Sequence, residues 1–520
     1  MLATALSAAT LGIDAYLVHV EVDTDRQLPS FTVVGLPDSA VRESRERVMA
    51  AVRNAGFQWP RRRVTVNLAP ADVRKEGSAF DLPIAIGILV ASEQLSTPRL
   101  QDFVLLGELS LDASLRPVRG VLSMATDMDR QGIYGMIVPA ENAREAAIAD
   151  GPVVYGVTSL AEAVEVLEGS VRIPPHVVDV SDLLQSSGGS ALDFAEVRGQ
   201  EHAKRALEVA AGGGHNILMV GPPGSGKTML ARRVSSVLSP LTHQEALATT
   251  KIHSVAGVLP PDEALVPERP FRAPHHTISD AGLIGGGPYP KPGEVSLAHH
   301  GVLFLDELPE FRKHVIEALR QPLEDHAITI GRAALTLTFP ARFMLIAAMN
   351  PCPCGYWGDP GHECACSPLA LQRYRSRLSG PLLDRIDIHI EVPAVDYGDM
   401  ADSRNGEVSS AVRQRVTAAR TAQLRRFHDA EREGVFCNAH MDSRHIRSHC
   451  TVSGKAEELL RMAVARLGLS ARAYDRVRKV ARTVADLAGS KTILPQHIGE
   501  AIQYRSLDRK PVSPGTTGRR

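Results

Sequence analysis

A glycine-rich loop at residues 221–228 constrains the fold of this chain more than any other feature. The loop, GPPGSGKT, follows a short apolar run that is typical of a buried parallel strand, and it precedes a segment that predicts a helix. In such a loop, backbone N–H groups point at phosphate oxygens, while Lys227 and Thr228 can reach the terminal phosphates and Mg²⁺. The pattern predicts a nucleotide site, with a chance glycine loop as the alternative. The residues expected to surround the phosphates are Gly221, Pro222, Pro223, Gly224, Ser225, Gly226, Lys227 and Thr228.

Two further apolar runs end in polar residues that suit nucleotide hydrolysis. Residues 302–305 lead into Asp306 and Glu307. There the first carboxylate would coordinate Mg²⁺, and the second would orient and deprotonate the attacking water. The run 343–349 ends in Asn350, whose amide would contact the γ-phosphate if its strand lies between the other two. The alternative is that Asn350 only makes the following turn.

Strand and helix patterns alternate before residue 173 and predict a separate first domain. Runs with a period of two at 15–22, 31–36 and 64–68 predict strands, and Asp38 is expected to start a helix that ends at Asn54. We therefore expect an α/β or α+β domain over residues 1–173. The Pro, Ser and Gly content of residues 174–194 predicts a linker.

The chain is predicted to be helical after residue 401. Apolar residues lie three and four apart in four segments, at 407–428, 454–467, 472–488 and 495–504. Residues 401–520 carry a net charge of +11, whereas the rest of the chain carries −12. A basic excess can line a channel for a polyanion, and a solvated helical face is the alternative. Residues 509–520 predict a basic disordered tail.

The composition predicts neither a membrane protein nor a secreted one. No run of eighteen apolar residues occurs, and residues 1–13 lack the basic start of a signal peptide. Four of the six cysteines lie within one short segment, unlike the framework of a secreted disulfide protein. We therefore expect a cytoplasmic protein without a membrane partner.

The clustered cysteines are Cys352, Cys354, Cys364 and Cys366. Four thiolates at this spacing could close a tetrahedral zinc site and hold a loop that is rich in Gly and Pro. Four reduced cysteines in a cytosolic loop are the alternative. The histidine pairs at 275–276 and 299–300 are expected to serve the fold or a substrate loop, because neighbouring side chains point to opposite sides.

Part of the first region resembles the proteolytic domain of Lon proteases, whose fold is shared with a ribosomal-protein domain. The similar segments are KEGSAFDLPIAIGILVAS and LLGELSLDASLRPVRG. In that family a Ser–Lys dyad carries the chemistry, but here the position expected for the Lys falls at about Leu122. Because a serine without a base has no means of activation, a non-catalytic scaffold is favoured. Ser78 as a shifted nucleophile is the alternative.

Motifs along nearly the whole chain resemble the magnesium-chelatase-like AAA+ family, and more narrowly its ComM/YifB proteins. They are GPPGSGKTMLA, RPFRAPHHT, LAHHGVLFLDELPEF, ALRQPLED and NPCPCGYWGD. The resemblance implies a Lon-like first domain, an AAA+ core with a parallel sheet over 195–400 and a helical lid domain over 401–508. It also implies a hexamer that uses ATP and Mg²⁺ to move on single-stranded or branched DNA and to drive branch migration.

The resemblance implies further site residues by position. Val197 and Gln200 lie where AAA+ proteins hold the adenine ring. Arg385 would be an arginine finger that reaches the γ-phosphate of a neighbouring subunit, and Arg472 would contact the phosphate from the helical domain. Arg385 could instead pair only with Asp384 or Asp387, and Arg476 could replace Arg472.

Two segments of the core exceed what nucleotide binding requires. They are the glycine- and proline-rich stretch 282–300 and a hairpin predicted at 328–339 with Arg332 near its turn. Both are candidates for contact with the substrate. Two other functions remain open: the motor subunit of a magnesium chelatase, and an ATP-dependent Lon-like peptidase.

Overall fold

The computed structural model describes residues 1–75, 77–149, 151–169, 173–180, 183, 192–260, 263–287, 290–332, 335–359, 361–394, 406–428 and 435–505. Within them the chain has three parts: an α+β region before residue 170, a core built on a parallel sheet, and a helical region after residue 406. This is the fold class that the sequence predicts.

The first region is built on a seven-stranded sheet and one short hairpin. The strands are β1 (Leu2–Leu11), β2 (Asp14–Asp25), β3 (Ser30–Val34), β4 (Arg63–Ala69), β5 (Phe103–Leu105), β6 (Glu108–Leu109), β7 (Leu115–Arg116), β8 (Gly135–Pro139) and β9 (Val153–Val157). The sheet order is β3-β4-β2-β1-β5-β8-β9, and β6 pairs with β7. The sequence pattern does not predict β1, because Ala, Ser and Thr fill most of its positions and leave little contrast between its two faces.

Helices pack against this sheet. They are α1 (Ser39–Asn54), α2 (Asp81–Ala91), α3 (Val121–Arg130), α4 (Ala140–Ala147) and α5 (Leu160–Leu167). The Asp38 carboxylate accepts a hydrogen bond from the Val41 backbone N–H and starts α1 at the predicted position. Ten of the eleven residues of α2 are buried, so this apolar segment forms the centre of the first region.

The core contains a five-stranded parallel sheet and two hairpins. Its strands are β10 (Ile217–Val220), β11 (Phe271–Arg272), β12 (Gly285–Gly286), β13 (Lys291–Pro292), β14 (Val302–Leu305), β15 (Ala327–Arg332), β16 (Leu335–Pro340), β17 (Met344–Met349) and β18 (Ile388–Glu391). The order β11-β14-β17-β10-β18 places β17 between β14 and β10, as predicted for the strand before Asn350. The predicted hairpin is also present, as β15 and β16.

The helices of the core connect and cover these strands. They are α6 (Glu201–Gly213), α7 (Lys227–Arg233), α8 (His243–Ala256), α9 (Asp280–Leu283), α10 (Glu294–Leu297), α11 (Lys313–Ala318), α12 (Pro322–Asp325), α13 (Pro368–Arg375) and α14 (Gly380–Leu383). Short 3₁₀ turns lie at Phe194–Glu196, Val234–Ser236 and Leu308–Glu310.

The third part is helical throughout its described residues. Its helices are α15 (Ser409–Arg426), α16 (Ser443–His449), α17 (Lys455–Leu467), α18 (Ala471–Leu487) and α19 (Pro495–Gln503), with a 3₁₀ turn at Asn438–His440. All except α16 match the predicted helical segments to within three residues. Val416 of α15 and Val480 of α18 share one apolar cluster with Leu207 of α6, so the helical part packs directly on the core.

The first region contacts the core through α3 and α8. Ser254 of α8 accepts a hydrogen bond from the Gly120 backbone N–H at 2.9 Å and donates one to the carboxylate of Glu145. Burial raises the pKa of Glu145. Leu122, beside this contact, is fully buried in an apolar cluster that includes Leu241 and Ala246 of the core.

Several predicted segments fall partly or wholly outside the described residues. The tail at 509–520 and the boundary near residue 400 lie outside them. Part of the predicted linker is described, and there Val178, Val180 and Leu183 pack against the cluster around Leu122. A search of the described residues finds no helix with the length and apolarity needed to cross a membrane.

Candidate functional site

The phosphate loop lies at the carboxyl end of β10, between β17 and β18 in the parallel sheet. Gly224 and Gly226 have φ angles of 77° and 85°, a left-handed conformation that favours glycine. Gly221 faces the carbonyl oxygen of Val392, which a β-carbon would approach to 2.0 Å. Gly226 precedes α7 without a side-chain hydrogen bond to the first turn, so backbone N–H groups remain for an anionic ligand.

Lys227 turns its ammonium group back toward its own loop. Its Nζ donates to the carbonyl oxygens of Gly221 and Pro222, both at 2.8 Å, and lies 3.4 Å from Oδ1 of Asn350. Burial lowers the pKa of Lys227, while Asp306 and Glu307 act in the opposite direction. A phosphate group would offer this ammonium an acceptor of full negative charge in place of two carbonyls.

Thr228 and Asp306 form the pair expected to bind Mg²⁺. The Thr228 hydroxyl donates to Oδ2 of Asp306 at 2.6 Å, so the first turn of α7 meets the end of β14. Hydroxyl and carboxylate oxygens are the ligands that Mg²⁺ prefers. The residues present therefore fit ATP with Mg²⁺, and a bound Mg²⁺ would supply positive charge beside the terminal phosphates.

Glu307 projects away from Asp306 toward solvent. Its φ angle is 50°, its backbone N–H donates to Oδ1 of Asp306 at 2.9 Å, and its side chain is 56 % exposed. Nδ1 of His276 lies 3.5 Å from Oε2 of Glu307. The sequence does not predict this contact, although RPFRAPHHT, which contains His276, is one of the motifs that carry the family resemblance.

Asn350 lies at the end of β17, between the loop and the carboxylates. Its side chain is near Lys227, and its backbone hydrogen-bonds the hydroxyl of Tyr374. Burial raises the pKa of Tyr374 to about 12. Tyr374 was not expected at this site, because it comes from α13 and no local motif marks it.

Val197 and Gln200 lie in the turn that immediately precedes α6. Val197 is fully buried, and Gln200 donates from Nε2 to the carbonyl oxygen of Pro393 at 2.7 Å. The start of the helical region covers the same turn, because the backbone N–H of Gly406 approaches the carbonyl oxygen of Ala195 at 3.3 Å. The adenine-binding role of Val197 and Gln200 stays a prediction.

The structure holds Arg385 inside its own chain. Its guanidinium contacts Oε1 of Glu324 and the carbonyl oxygen of Pro381, each at 2.5 Å, and its side chain is 6 % exposed. The paired carboxylate is thus Glu324, not Asp384 or Asp387. A role at the nucleotide of another subunit requires this contact to open.

The two arginines considered for the helical domain have different surroundings. Arg472 is exposed in the first turn of α18. Arg476, one turn later, pairs with the buried Asp387, which also lies 3.2 Å from Nδ1 of His215. Arg476 therefore links α18 to Asp387, the residue immediately before β18. The phosphate contact of Arg472 stays a prediction.

The cysteine cluster begins two residues after Asn350. The thiols of Cys352, Cys354, Cys364 and Cys366 lie within 4.8 Å of one another, and none forms a disulfide. The four thiols meet, as a zinc site requires, and zinc binding stays a prediction.

Family models match most of this chain. The model described as magnesium chelatase, subunit ChlI, matches residues 193–400, a second ChlI model matches 20–142, and the ChlI C-terminal model matches 406–505. Residues 20–142 lie in the α+β region, so all three parts of the fold are represented.

Relatives match at full length. The chain is 45% identical over 513 residues to competence protein ComM of Haemophilus influenzae, covering 98% of each chain. It is 43% identical over 504 residues to YifB of Escherichia coli, covering 96% of each chain. A partial match, 33% identical over 153 residues, links it to Lon protease 2 of Bacillus subtilis and covers 27% of this chain and 26% of that protease. The chain belongs to the ComM/YifB family of magnesium-chelatase-like AAA+ proteins.

Proposed function

We propose that this protein is an ATPase motor that moves on single-stranded or branched DNA and drives branch migration of recombination intermediates. The hydrolysis half of the proposal is supported by Lys227, Thr228, Asp306 and Asn350, which meet at one edge of the parallel sheet. Glu307 would activate the water, and His276 lies close enough to orient the Glu307 carboxylate.

The DNA half rests on the two core hairpins, which pack against each other. Gly285 of β12 lies against Ile330 of β15, because a β-carbon added to Gly285 would be 2.9 Å from Cδ1 of Ile330. Leu337 of β16 contacts Gly12 in the first region, where a β-carbon added to Gly12 would lie 3.6 Å from Cδ2 of Leu337. The hairpins thus form one unit at the junction of the two regions.

The outer face of the β15–β16 hairpin carries hydroxyl groups. Ile328, Ile330 and Phe339 are buried, whereas Thr329, Thr336 and Thr338 are exposed. Threonine hydroxyls are common donors to DNA phosphates. This face therefore has the chemistry of a backbone-contacting surface.

The observation that carries the proposal is the connection of this hairpin to the nucleotide site. β16 ends at Pro340 and β17 begins at Met344, and the six-residue β17 ends immediately before Asn350. Such a strand spans about 20 Å. A change at the γ-phosphate that displaces Asn350 can therefore move the hairpin through a short rigid element.

Further support comes from charge and from the relative's name. The C-terminal segment 401–520 carries a net +11, which suits a polyanion. The Haemophilus relative is named a competence protein, a name that fits handling of DNA taken up by the cell. We further propose a hexameric ring that works in the cytoplasm and shares each nucleotide site between neighbours.

The Lon-like region is proposed as a scaffold. The Ser78 hydroxyl donates to the carboxylate of Glu108, and Leu122, at the position expected for the lysine, is buried against the core. The Ser–Lys dyad of Lon proteases is therefore incomplete here, because Leu122 replaces the lysine and the partner of Ser78 is a carboxylate. This region instead positions the core through α3 and α8.

The proposal predicts a DNA-stimulated ATPase that moves a synthetic four-way junction. Thr336→Glu places a negative charge on the exposed hairpin face and should abolish the stimulation while leaving DNA-independent hydrolysis unchanged. Thr336→Lys, a matched change at the same position, should retain the stimulation. ATP turnover that ignores every DNA substrate, or equal effects of Glu and Lys, would contradict the proposal.

A further inference from the structure

We propose that a small cavity between the core and the helical part binds a free oxyanion of the phosphate class. The cavity has a volume of about 60 Å³, and residues of both parts line it. This volume admits about four water molecules, which is also the room that a small tetrahedral ion needs. The site would hold the two parts together through one shared anion.

The cavity is separate from the nucleotide site. Gly214 lies shortly before β10, Gly301 immediately precedes β14, and Met344 is the first residue of β17. These three strands are parallel, and the phosphate loop follows the other end of β10. Strands of four to six residues place the two ends of the sheet about 13–20 Å apart. Anion binding here therefore does not depend on the proposed motor function.

The lining of the cavity carries an excess of positive charge. Its described residues include three arginines, Arg269, Arg342 and Arg420, but a single carboxylate, that of Glu245. Arg269 pairs with Glu245 at 2.7 Å and also donates to the carbonyl oxygen of His300 at 2.7 Å. Because Arg269 uses the charge of Glu245, the other two guanidinium groups remain without a carboxylate.

Arg342 and Arg420 have the donors that an oxyanion requires. Within the described part of the chain, neither side chain forms a hydrogen bond or an ion pair. The Arg342 guanidinium lies over the Phe436 ring, 4.8 Å from its centre, and burial lowers the pKa of Arg342. Nη1 of Arg420 lies beside Gly214, where an added β-carbon would be 3.8 Å away. The planar fork of N–H donors on a guanidinium matches the oxygens of a phosphate or sulfate ion.

A histidine in the lining also lacks a partner. Nδ1 of His440 is buried and finds no hydrogen-bond partner among the described residues. An imidazole keeps one N–H donor even when it is neutral, and a buried polar atom without a partner destabilises the folded protein. A bound oxyanion would bring acceptors to a cavity that now holds more donors than acceptors.

The candidate ligands come from both sides of the cavity. Arg342 belongs to the core, where it lies between β16 and β17, whereas Arg420 belongs to α15 and His440 to the 3₁₀ turn of the helical part. An anion that contacts both arginines would therefore connect the helical part to the core. Such a ligand binds the folded chain alone and stabilises it by mass action.

Equilibrium dialysis of the full-length protein against radiolabelled inorganic phosphate tests the site. Mg²⁺ and a saturating non-hydrolysable ATP analogue keep the phosphate loop filled throughout. We expect about one phosphate per chain, displaced by sulfate, which has a similar shape and charge, and not by chloride at the same ionic strength. No saturable uptake up to about 10 mM phosphate, or equal displacement by chloride, would overturn the proposal.

Two substitutions test the residues that hold the ion. Arg342→Gln and Arg420→Gln should each weaken phosphate binding about tenfold or more, because each removes a charge-assisted hydrogen bond. Arg461→Gln removes the same charge from an exposed position on α17 and should bind phosphate like the wild type. Wild-type affinity in either cavity variant would show that the ion is not shared between the two parts. The wild-type dialysis decides the existence of the site even if a variant fails to fold.

A 5′-phosphorylated oligonucleotide distinguishes a free ion from the end of a nucleic acid strand. It should not displace the labelled phosphate, because the cavity has room for little more than the ion itself. Displacement by the oligonucleotide at matched ionic strength would assign the site to a strand end and overturn the proposal. The Tm of the wild type should also be higher in phosphate than in chloride, and an equal gain in Arg342→Gln would contradict binding at this cavity.

Discussion

At the scale of single residues, Asp306 and Glu307 are adjacent carboxylates in different surroundings. Asp306 is held by Thr228, whereas Glu307 is largely exposed to solvent beside His276. Glu307→Gln keeps the shape of the side chain but removes the base. We expect ATP-analogue affinity within about twofold of wild type and hydrolysis reduced about 10²- to 10⁴-fold, measured by phosphate release.

The matched control for this variant is Glu310→Gln. Glu310 lies one 3₁₀ turn further along and pairs with Arg377 at the surface, 2.9 Å away. The same chemical change there should leave turnover nearly unaltered. Normal hydrolysis by Glu307→Gln would remove Glu307 from its proposed role.

The site residues that sequence could predict are those marked by their own neighbours. Lys227, Thr228 and Asp306 each follow a buried strand within one short motif, so the backbone alone decides where they meet. His276 and Tyr374 reach the same site from distant segments, and only the packing of the core brings them there. Their roles could not be read from spacing.

At the scale of elements, buried and half-buried histidines gather where the core, α12 and the helical part meet. The rings of His326 and His440 are 4.4 Å apart, and His299 and His300 precede β14 nearby. Burial lowers the pKa of both His326 and His440 to about 3. The charges of His440 and Arg342 also lower the pKa of His326, and those of Arg342 and Arg420 also lower the pKa of His440. Glu245 opposes the shift at His440.

These pKa values predict a loss of stability in mild acid. The unfolded pKa is about 6.5, so the unfolded chain takes up protons below that pH while the folded chain does not. Stability is complete above pH 6.5 and falls as the pH drops toward 3. Each such histidine should lower the free energy of unfolding by about 1.4 kcal/mol as the pH falls from 7.5 to 5.5. His440→Gln should therefore reduce the fall in Tm over this range.

The exposed His243 supplies the control for this prediction, because His243→Gln changes the same side chain outside the cluster. Its Tm should fall with pH as steeply as that of the wild type. An unchanged pH dependence in His440→Gln would show that His440 is protonated in the folded state.

Elements with strong local signals were predictable, and weak ones were not. The cap at Asp38 and the long periodic helices α15 and α18 match the structure. β1 and the short β18 were missed, since one lacks polar contrast and the other has only four residues. β1 is placed by its hairpin with the adjacent β2, whereas β18 is placed by pairing with β10, which lies far back in the sequence.

At the scale of the whole molecule, the arrangement of the three parts depends on contacts that no sequence motif predicts. The joint between the first region and the core uses Ser254 and Glu145, and the helical part is tied to the sheet by Arg476 and Asp387. Both joints combine a buried carboxylate with a partner from another part of the chain. They hold the helical part and the first region in fixed positions relative to the core.

The proposed ring predicts that two inactive variants restore each other. Arg385 must leave Glu324 and reach a neighbour's nucleotide, so Arg385→Ala should abolish hydrolysis just as Glu307→Gln does. In rings mixed at random from equal amounts of the two variants, about a quarter of the subunit contacts would join an intact Glu307 to an intact Arg385 of the neighbour.

The two variants are therefore co-expressed with different tags and purified through both. ATP hydrolysis by the mixed rings should clearly exceed that of either variant alone, and rings made from Arg385→Ala alone should remain inactive under the same conditions. Co-purified rings with no recovered activity would place Arg385 within its own subunit's site or outside the chemistry. Failure of the two tagged chains to co-purify in the presence of an ATP analogue would contradict the ring itself.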